Sequence, residues 1–227
     1  FQPIGVSVSG FERNGKIQHA LNTDINGVSL SKILKEKFRV PVFVENDANC
    51  AGLAELHFGA GKGKKNFVLL TLGTGIGGAA IINGKLYSGN GGAIEPGSMI
   101  IDKEKIFEYW ASGNASVRIA REEFGFKGIS SLELEEKANN GNKNAIAVYN
   151  KVGRYLGIGL SNLAFIFDPD VLILGGGFAR VKHIYPPMKK AFNEFYSITP
   201  VPPIVRAQLG VDAGLIGAGL LGSNKSS

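Results

Sequence analysis

Two hydrophobic rhythms share this chain. Short apolar runs of strand length occur at Ile4-Gly5-Val6-Ser7-Val8, Val42-Phe43-Val44, Phe67-Val68-Leu69-Leu70, Ala79-Ala80-Ile81-Ile82 and Val171-Leu172-Ile173-Leu174. Their length and β-branched content predict strands, the last of them fully buried. Between them the spacing becomes helical. Leu30, Ile33, Leu34 and Phe38 recur at helical intervals, and Ser29 stands where a cap belongs. Small and apolar residues predict a second helix over 48–58. From Phe107 onward the pattern turns helical. Tyr149, Val152, Leu156, Leu160 and Leu163 lie on one stripe of a long helix over 144–167, which Asp168-Pro169 stops. Segment 201–222 reads as a strand, a glycine and a small-residue helix.

This alternation predicts an α/β protein. Segments 41–48 and 203–215 both read as strand, acidic turn and helix. The echo is either coincidence or the mark of two duplicated α/β domains with a cleft between them.

The segment Leu70-Thr71-Leu72-Gly73-Thr74-Gly75-Ile76-Gly77-Gly78 turns between two predicted strands, and Asn83-Gly84 ends the second with a hairpin signal. A glycine turn lets backbone N–H groups approach a ligand with no Cβ in the way. A concave set of such groups suits a phosphate. The Rossmann fingerprint requires a helix directly after its glycines, and a P-loop requires Gly-Lys-Ser/Thr. Neither is present. A bare glycine-rich hairpin and a phosphate cradle fit the nonapeptide equally well.

Composition narrows the class. At 227 residues, with 44% hydrophobic and 19% charged residues, the chain suits one large core or two small ones. Its 32 glycines imply many tight turns or close backbone approaches. The single cysteine, Cys50, excludes an intramolecular disulfide, and His19, His57 and His183 are scattered without metal-ligand spacing. No apolar stretch is long enough to span a bilayer and no signal peptide is visible, so a cytoplasmic protein with no membrane partner is the default expectation. A formal charge of +6 and a pI near 9.3 suit anionic partners such as nucleotides without singling out nucleic acid. The densest basic run, Lys62-Gly63-Lys64-Lys65, reads as a solvated loop rather than a DNA contact.

Asn46-Asp47 is the second feature that bears on chemistry. It stands where a predicted strand ends and a helix begins. A carboxylate there either caps the helix or points into a ligand crevice, because strand ends in open α/β sheets line such crevices. In a crevice an aspartate accepts a proton from a substrate hydroxyl, and the asparagine offers donor and acceptor to a polyol.

The run Pro41-Val42-Phe43-Val44-Glu45-Asn46-Asp47-Ala48-Asn49, then Phe58-Gly59-Ala60-Gly61-Lys62-Gly63, then Thr71-Leu72-Gly73-Thr74-Gly75-Ile76-Gly77-Gly78, resembles the ROK family of sugar kinases and sugar-responsive repressors. Order and spacing agree over nearly the whole chain. The resemblance implies an actin-like ATPase (ribonuclease H-like) α/β fold, with two similar domains flanking a cleft. It implies a remainder of the N-terminal domain over 1–58, a C-terminal domain over 59–211, and a C-terminal helix over 212–227 returning toward the first. Asp47 matches the family's catalytic base. Asn46, Glu95 in Gly92-Ala93-Ile94-Glu95-Pro96-Gly97, and Glu108 before Tyr109-Trp110-Ala111-Ser112-Gly113 match sugar ligands. Gly73, Thr74, Gly75 and Gly77 match the loop that holds the terminal phosphates. Gly175, Gly176 and Gly177 match the adenosine-contacting turn. The implied reaction is ATP-dependent, magnesium-assisted phosphorylation of a hexose, glucose by default, at its 6-hydroxyl. The alternative is a non-catalytic sugar-responsive regulator. A homodimer is expected, and nucleic acid is not.

Three departures stand out. The family's Glu-x-Gly-His is Glu95-Pro96-Gly97-Ser98 here, so Ser98 takes the place of a histidine that binds sugar and zinc. Ser98 still offers a hydroxyl to the sugar but is a poor zinc ligand. The family's cysteine-rich loop is replaced by Asp102-Lys103-Glu104-Lys105, and no structural zinc is expected. The Asp-x-Gly-Gly-Thr phosphate hairpin has no match, which predicts an incomplete N-terminal domain relative to the family.

Overall fold

The computed structural model describes residues 2–13, 16–18, 24–91 and 94–223. Strands β1 (Ile4–Val8), β2 (Phe11–Arg13) and β3 (Lys16–Gln18) precede helix α1 (Leu30–Phe38), strand β4 (Val42–Asn46) and helix α2 (Asp47–Phe58). Strands β5 (Phe67–Leu72), β6 (Ile76–Ile82), β7 (Lys85–Leu86), β8 (Ile100–Asp102) and β9 (Lys105–Ile106) follow. Helices α3 (Phe107–Ala111), α4 (Gly113–Phe124), α5 (Ser131–Asn139) and α6 (Lys143–Phe167) then lead to β10 (Val171–Gly175), α7 (Tyr185–Phe195), β11 (Ile204–Arg206) and α8 (Ala213–Ser223). One sheet has the order β11-β10-β5-β6-β7, and three two-stranded sheets pair β1 with β4, β2 with β3 and β8 with β9. The chain divides into two compact units, one of Phe1–Leu69, Gly78–Ile94 and Ala207–Ser227, the other of Leu70–Gly77 and Glu95–Arg206. No helix is long and apolar enough to cross a membrane among the described residues.

In the first unit β1 and β4 run parallel, with Ile4 opposite Val42 and Val8 opposite Asn46. Parallel neighbours need a crossover, and α1 lies in it. Ser29 does precede α1, but its side chain makes no capping bond. Its backbone, at φ −89° and ψ 79°, departs from the extended geometry that turns an N-cap hydroxyl onto the helix. Helix α2 follows β4 with no linker and is buried from Ala48 through Glu55. Helix α8 packs on α2 and β1. Small residues permit this: a Cβ on Gly5 would overlap the Ala218 carbonyl, and one on Gly217 would overlap the Cys50 carbonyl.

The second unit is built on α6. Its predicted stripe is buried throughout, with Tyr149, Val152, Leu156 and Leu160 at 0% exposure and Leu163 at 2%. Asn142 caps α6 by accepting the Ala145 N–H at 3.0 Å, and Asp168 ends it in the left-handed region at φ 41°. A Cβ on Gly157 would overlap the Met188 carbonyl, so α7 lies unusually close to α6. Strands β10 and β11 pair in parallel, Leu172 opposite Ile204. Residues 207–212 separate β11 from α8, whereas β4 enters α2 directly, so segments 41–48 and 203–215 share an order of elements but not a junction.

Where the family loop carries cysteines, β8 and β9 form an antiparallel hairpin. Lys103 and Glu104 turn it, both at positive φ (48° and 57°), the conformation of a two-residue type I′ loop. Asp102 fastens the hairpin to the helices: Oδ2 accepts the Tyr155 hydroxyl at 2.6 Å, and its carbonyl accepts the Trp110 indole N–H at 3.2 Å. The Trp110 and Tyr155 rings stack at 4.5 Å. Burial, then the Asp102 bond, pushes the Tyr155 phenol up to about 12.

The first unit also contains a fully buried carboxylate. Glu55, at 0% exposure, accepts the Gln208 and Leu209 N–H groups on Oε1, both at 2.9 Å, and the Ala60 N–H on Oε2 at 2.6 Å. Replacing one acceptor oxygen with an amide turns a donor toward a donor. Glu55→Gln is expected to lower unfolding free energy by about 3 kcal/mol, read as a reduced urea midpoint at unchanged slope. A midpoint equal to wild type would show that the three N–H groups find other acceptors.

Candidate functional site

Asn46 and Asp47 occupy the junction between β4 and α2 in the first unit. The cap of α2 is the asparagine, not the carboxylate. Asn46 Oδ1 accepts the Ala48 and Asn49 N–H groups at 2.9 and 3.2 Å, and its amide donates to the Gly10 carbonyl at 3.1 Å. The second amide N–H of Asn46 has no acceptor among the described residues. Asp47 is the first residue of α2, and its Oδ1 accepts the Ala48 N–H at 2.8 Å. Its Oδ2 accepts from no other residue among those described, and the residue is exposed. The protein packed around the carboxyl nevertheless raises its pKa above 3.8 by desolvation, and backbone N–H bonds offset only part of this. Glu45, which the sequence did not single out, holds the junction from behind by accepting the Asn46 N–H at 2.9 Å and the Asn49 amide at 3.0 Å. Cys50, one turn further on, is buried, and its thiol is pushed up to about 12 chiefly by that burial. It is a packing residue, not a nucleophile.

In the second unit the Gly73–Gly75 turn uses nearly every backbone group it has. The Gly73 N–H donates to the Gly75 carbonyl at 3.0 Å. The Gly73 and Thr74 carbonyls accept the Gly113 and Asn114 N–H groups at 2.8 and 3.3 Å. The Ile76 N–H donates to Glu108 Oε2 at 2.8 Å. The N–H groups of Thr74 and Gly75 alone have no acceptor among the described residues. A pair of adjacent, uncommitted N–H groups on a turn is what an anionic oxygen requires.

Other candidate residues gather on the same unit. Glu108, matched above to a sugar ligand, is half-buried against the turn, and a Cβ on Gly75 would overlap its carboxylate. It lines a cavity of about 410 Å³ with Tyr109, Ser112, Asn114, Arg118 and Arg121. Glu95 and Ser98, both exposed, bracket a turn in which the Ser98 N–H donates to the Glu95 carbonyl at 3.2 Å. A Cβ on Gly97 would overlap the Ile76 carbonyl, so this turn packs at the start of β6. Gly77 is half-buried within β6, and Gly175 ends β10. Gly176, at φ 85°, leaves no room for a Cβ beside the Leu72 carbonyl, so the Gly175–Gly177 turn abuts the end of β5. Gly92 and Ala93, quoted with Glu95 above, lie outside the described residues. Among those described, no group of three His, Cys, Asp or Glu is gathered to hold a metal ion.

A family model described as the ROK family matches residues 1–225. The chain is 32% identical over 247 residues to a glucokinase of Streptomyces coelicolor, covering 95% of this chain and 78% of the relative. It is 35% identical over 185 residues to the xylose repressor of Bacillus spizizenii, covering 75% of this chain and 47% of that one. A solved structure of a ROK family glucokinase from Streptomyces griseus, in complex with glucose and AMPPNP, aligns with a TM-score of 0.86 at 31% identity. That alignment covers 98% of this chain and 82% of the other.

The glycines of the site separate by what each one excludes. A Cβ on Gly73 or Gly177 would meet no protein atom within 4 Å, and neither residue has positive φ. Folding alone does not demand glycine there, whereas at Gly176 it does. Gly176→Ala is expected to cost about 2 kcal/mol or more of stability and Gly73→Ala less than about 0.5. Urea unfolding of the two variants checks this, and equal losses would contradict it.

Proposed function

Because the chain belongs to the ROK family, with the actin-like ATPase fold of that family's sugar kinases, we propose that it is an ATP-dependent hexose kinase acting at the sugar's 6-hydroxyl, with glucose the first sugar to test. The observation that carries this reading is the turn at Gly73, with its two uncommitted N–H groups on Thr74 and Gly75 and open space where a Gly73 Cβ would stand. The glucokinase relatives support it. The residues fit a nucleotide phosphate: the free donors are neutral backbone groups that cost no reorganisation on binding.

ATP would supply the transferable phosphoryl group, and magnesium bound with it would neutralise much of its charge. The Thr74 and Gly75 N–H groups would donate to phosphate oxygens, and the open space at Gly177 would admit the nucleoside beside the Gly175–Gly177 turn. On the sugar, the spare amide N–H of Asn46 orients a hydroxyl, and Glu95, Ser98 and Glu108 take others. Ser98 reaches less far than a histidine would, which leaves sugar selectivity as the property most open in this chain. Asp47 accepts the 6-hydroxyl proton on Oδ2, the oxygen that accepts from no other residue among those described. Partial desolvation makes that carboxylate a stronger base than one in free water. A sugar-responsive regulator is the second reading, supported by the xylose repressor relative.

A coupled ADP-release assay over a hexose panel separates the two. ADP formed with at least one sugar supports the kinase; calorimetric sugar binding with no ADP from any sugar supports the regulator. Asp47→Asn is expected to lower kcat by about 10²–10⁴-fold while sugar affinity holds. Near-normal turnover would remove Asp47 from the base role. Only the ionised carboxylate is a base, so activity is present above the Asp47 pKa and falls as pH drops through it. The acid limb of kcat/KM is therefore expected above 3.8 and absent from the residual activity of the asparagine variant. In the same assay Gly73→Ala is expected to raise the ATP KM about tenfold or more without moving the sugar KM.

A further inference from the structure

We infer that the N-terminus of α4 sets the direction in which the Gly73–Gly75 turn presents its N–H groups, with Gly113 as the positioning residue; this rests on the nucleotide reading of that turn. In a trans peptide the carbonyl and the following N–H point in opposite directions. The Gly73 carbonyl is held by the Gly113 N–H and the Thr74 carbonyl by the Asn114 N–H, at 2.8 and 3.3 Å. Both carbonyls therefore face α4, and the N–H groups of Thr74 and Gly75 face away from it on the same side. These are the two N–H groups of the turn that no acceptor among the described residues takes. The flanking peptides are tied as well, through the bond from Gly73 to Gly75 and the bond from Ile76 to Glu108. Inverting either central peptide would strand an α4 N–H and direct a carbonyl at the phosphate.

The first amides of a helix have no intrahelical acceptor, and α4 spends two of them on the turn. Ser112 secures the rest of that helix start by accepting the Ala115 N–H on Oγ at 3.0 Å, and Ser116 Oγ donates to the Gly113 carbonyl at 2.6 Å. Space, not conformation, requires glycine at 113. Its φ is not positive, but a Cβ there would lie 2.6 Å from the Gly73 carbonyl oxygen and 3.6 Å from the Phe178 ring. An alanine must push the Gly73 carbonyl off α4 and rotate the Thr74 N–H with it. Gly113 thus acts on the nucleotide through the turn and not by contact.

Titration calorimetry with AMPPNP and, separately, with glucose tests this on wild type and Gly113→Ala. The AMPPNP Kd is expected to rise about tenfold or more, and the glucose Kd to change less than about twofold. Equal AMPPNP affinity in the two proteins overturns the inference alone. A parallel loss of both ligands with a lowered melting temperature also overturns it, because that is general disruption. A wild type that binds no AMPPNP removes the nucleotide reading and the inference together. A second measurement needs no variant. On adding AMPPNP to wild type, the amide protons of Thr74 and Gly75 are expected to shift and exchange more slowly by NMR, while those of Gly113 and Asn114 are protected with and without it. Bound AMPPNP that leaves the Thr74 and Gly75 amides unmoved overturns the inference.

Discussion

Helix α2 is pinned at both ends by side-chain oxygens that accept backbone N–H groups, and the first unit is organised around that pinning. At the start, Asn46 belongs at once to β4, where it pairs with Val8, and to the helix it caps through Ala48 and Asn49. No residue separates strand from helix, so Asp47 has no freedom to slide along the chain. At the end, Glu55 gathers N–H groups from Ala60, Gln208 and Leu209. A carboxylate removed from water is tolerated only when its lone pairs are met, and three backbone donors meet them here. Gln208 and Leu209 are thereby fixed just ahead of α8, which lies on α2 through Gly217 and on β1 through Gly5. The order of dependence runs from the two oxygens to the helix, and from the helix to the strand end that carries Asp47.

The second unit solves a different problem with the same groups. Its turn at Gly73 keeps its backbone partners inside the protein except at two donors, and three separate elements collaborate to leave those two free. Helix α4 takes the carbonyls, Glu108 takes the Ile76 N–H, and Gly73 closes on Gly75. Glu108 is then shared between holding the turn and, in the proposed function, holding the sugar. One of its oxygens is committed to Ile76, which leaves the other for a hydroxyl. A sugar bound there would touch the residue that shapes the phosphate turn, so the two substrates of the proposed reaction would meet through a single side chain.

Local pattern made the elements legible. The stripe from Tyr149 to Leu163, the run at Val171 and the Leu30–Phe38 helix emerge where the sequence places them: the stripe is buried along one helix face and the run on both faces of its strand, whereas the Leu30–Phe38 helix keeps its helical spacing with Ile33 and Phe38 about half exposed. Ser29 was misread because capping depends on backbone angles that composition does not encode. The partners of Glu55 lie more than 150 residues away at Gln208 and Leu209, and no spacing rule connects them. Nothing in the spacing ties Glu108 to the turn, because its acceptor role exists only once Ile76, 32 positions earlier, comes beside it. The Ser112-Gly113 pair was visible only as part of a motif. Its reason is the distance from a Cβ that is not there to a carbonyl on another segment, and a one-dimensional reading has no access to that.

Asp47 shows how its place at the start of α2 bears on energetics. Its surroundings favour the neutral carboxyl, so its folded pKa lies above its value in the unfolded chain. The sign of the linkage follows: any stabilisation associated with this group is present below the unfolded pKa and is lost as pH rises through the folded one. At neutral pH the ionised carboxylate therefore works against folding, even with the Ala48 N–H and the helix start to offset part of the effect. The helix does not need it, since Asn46 already caps α2. Asp47 accepts the Ala48 N–H on one oxygen, and the other accepts from no other residue among those described, at a helix start held by Glu45 and Asn46; that arrangement suits the base role proposed for it. The raised pKa and the open oxygen both follow from one arrangement, in which the carboxyl is packed against protein yet given few donors; in the proposed function a substrate hydroxyl would supply the missing partner.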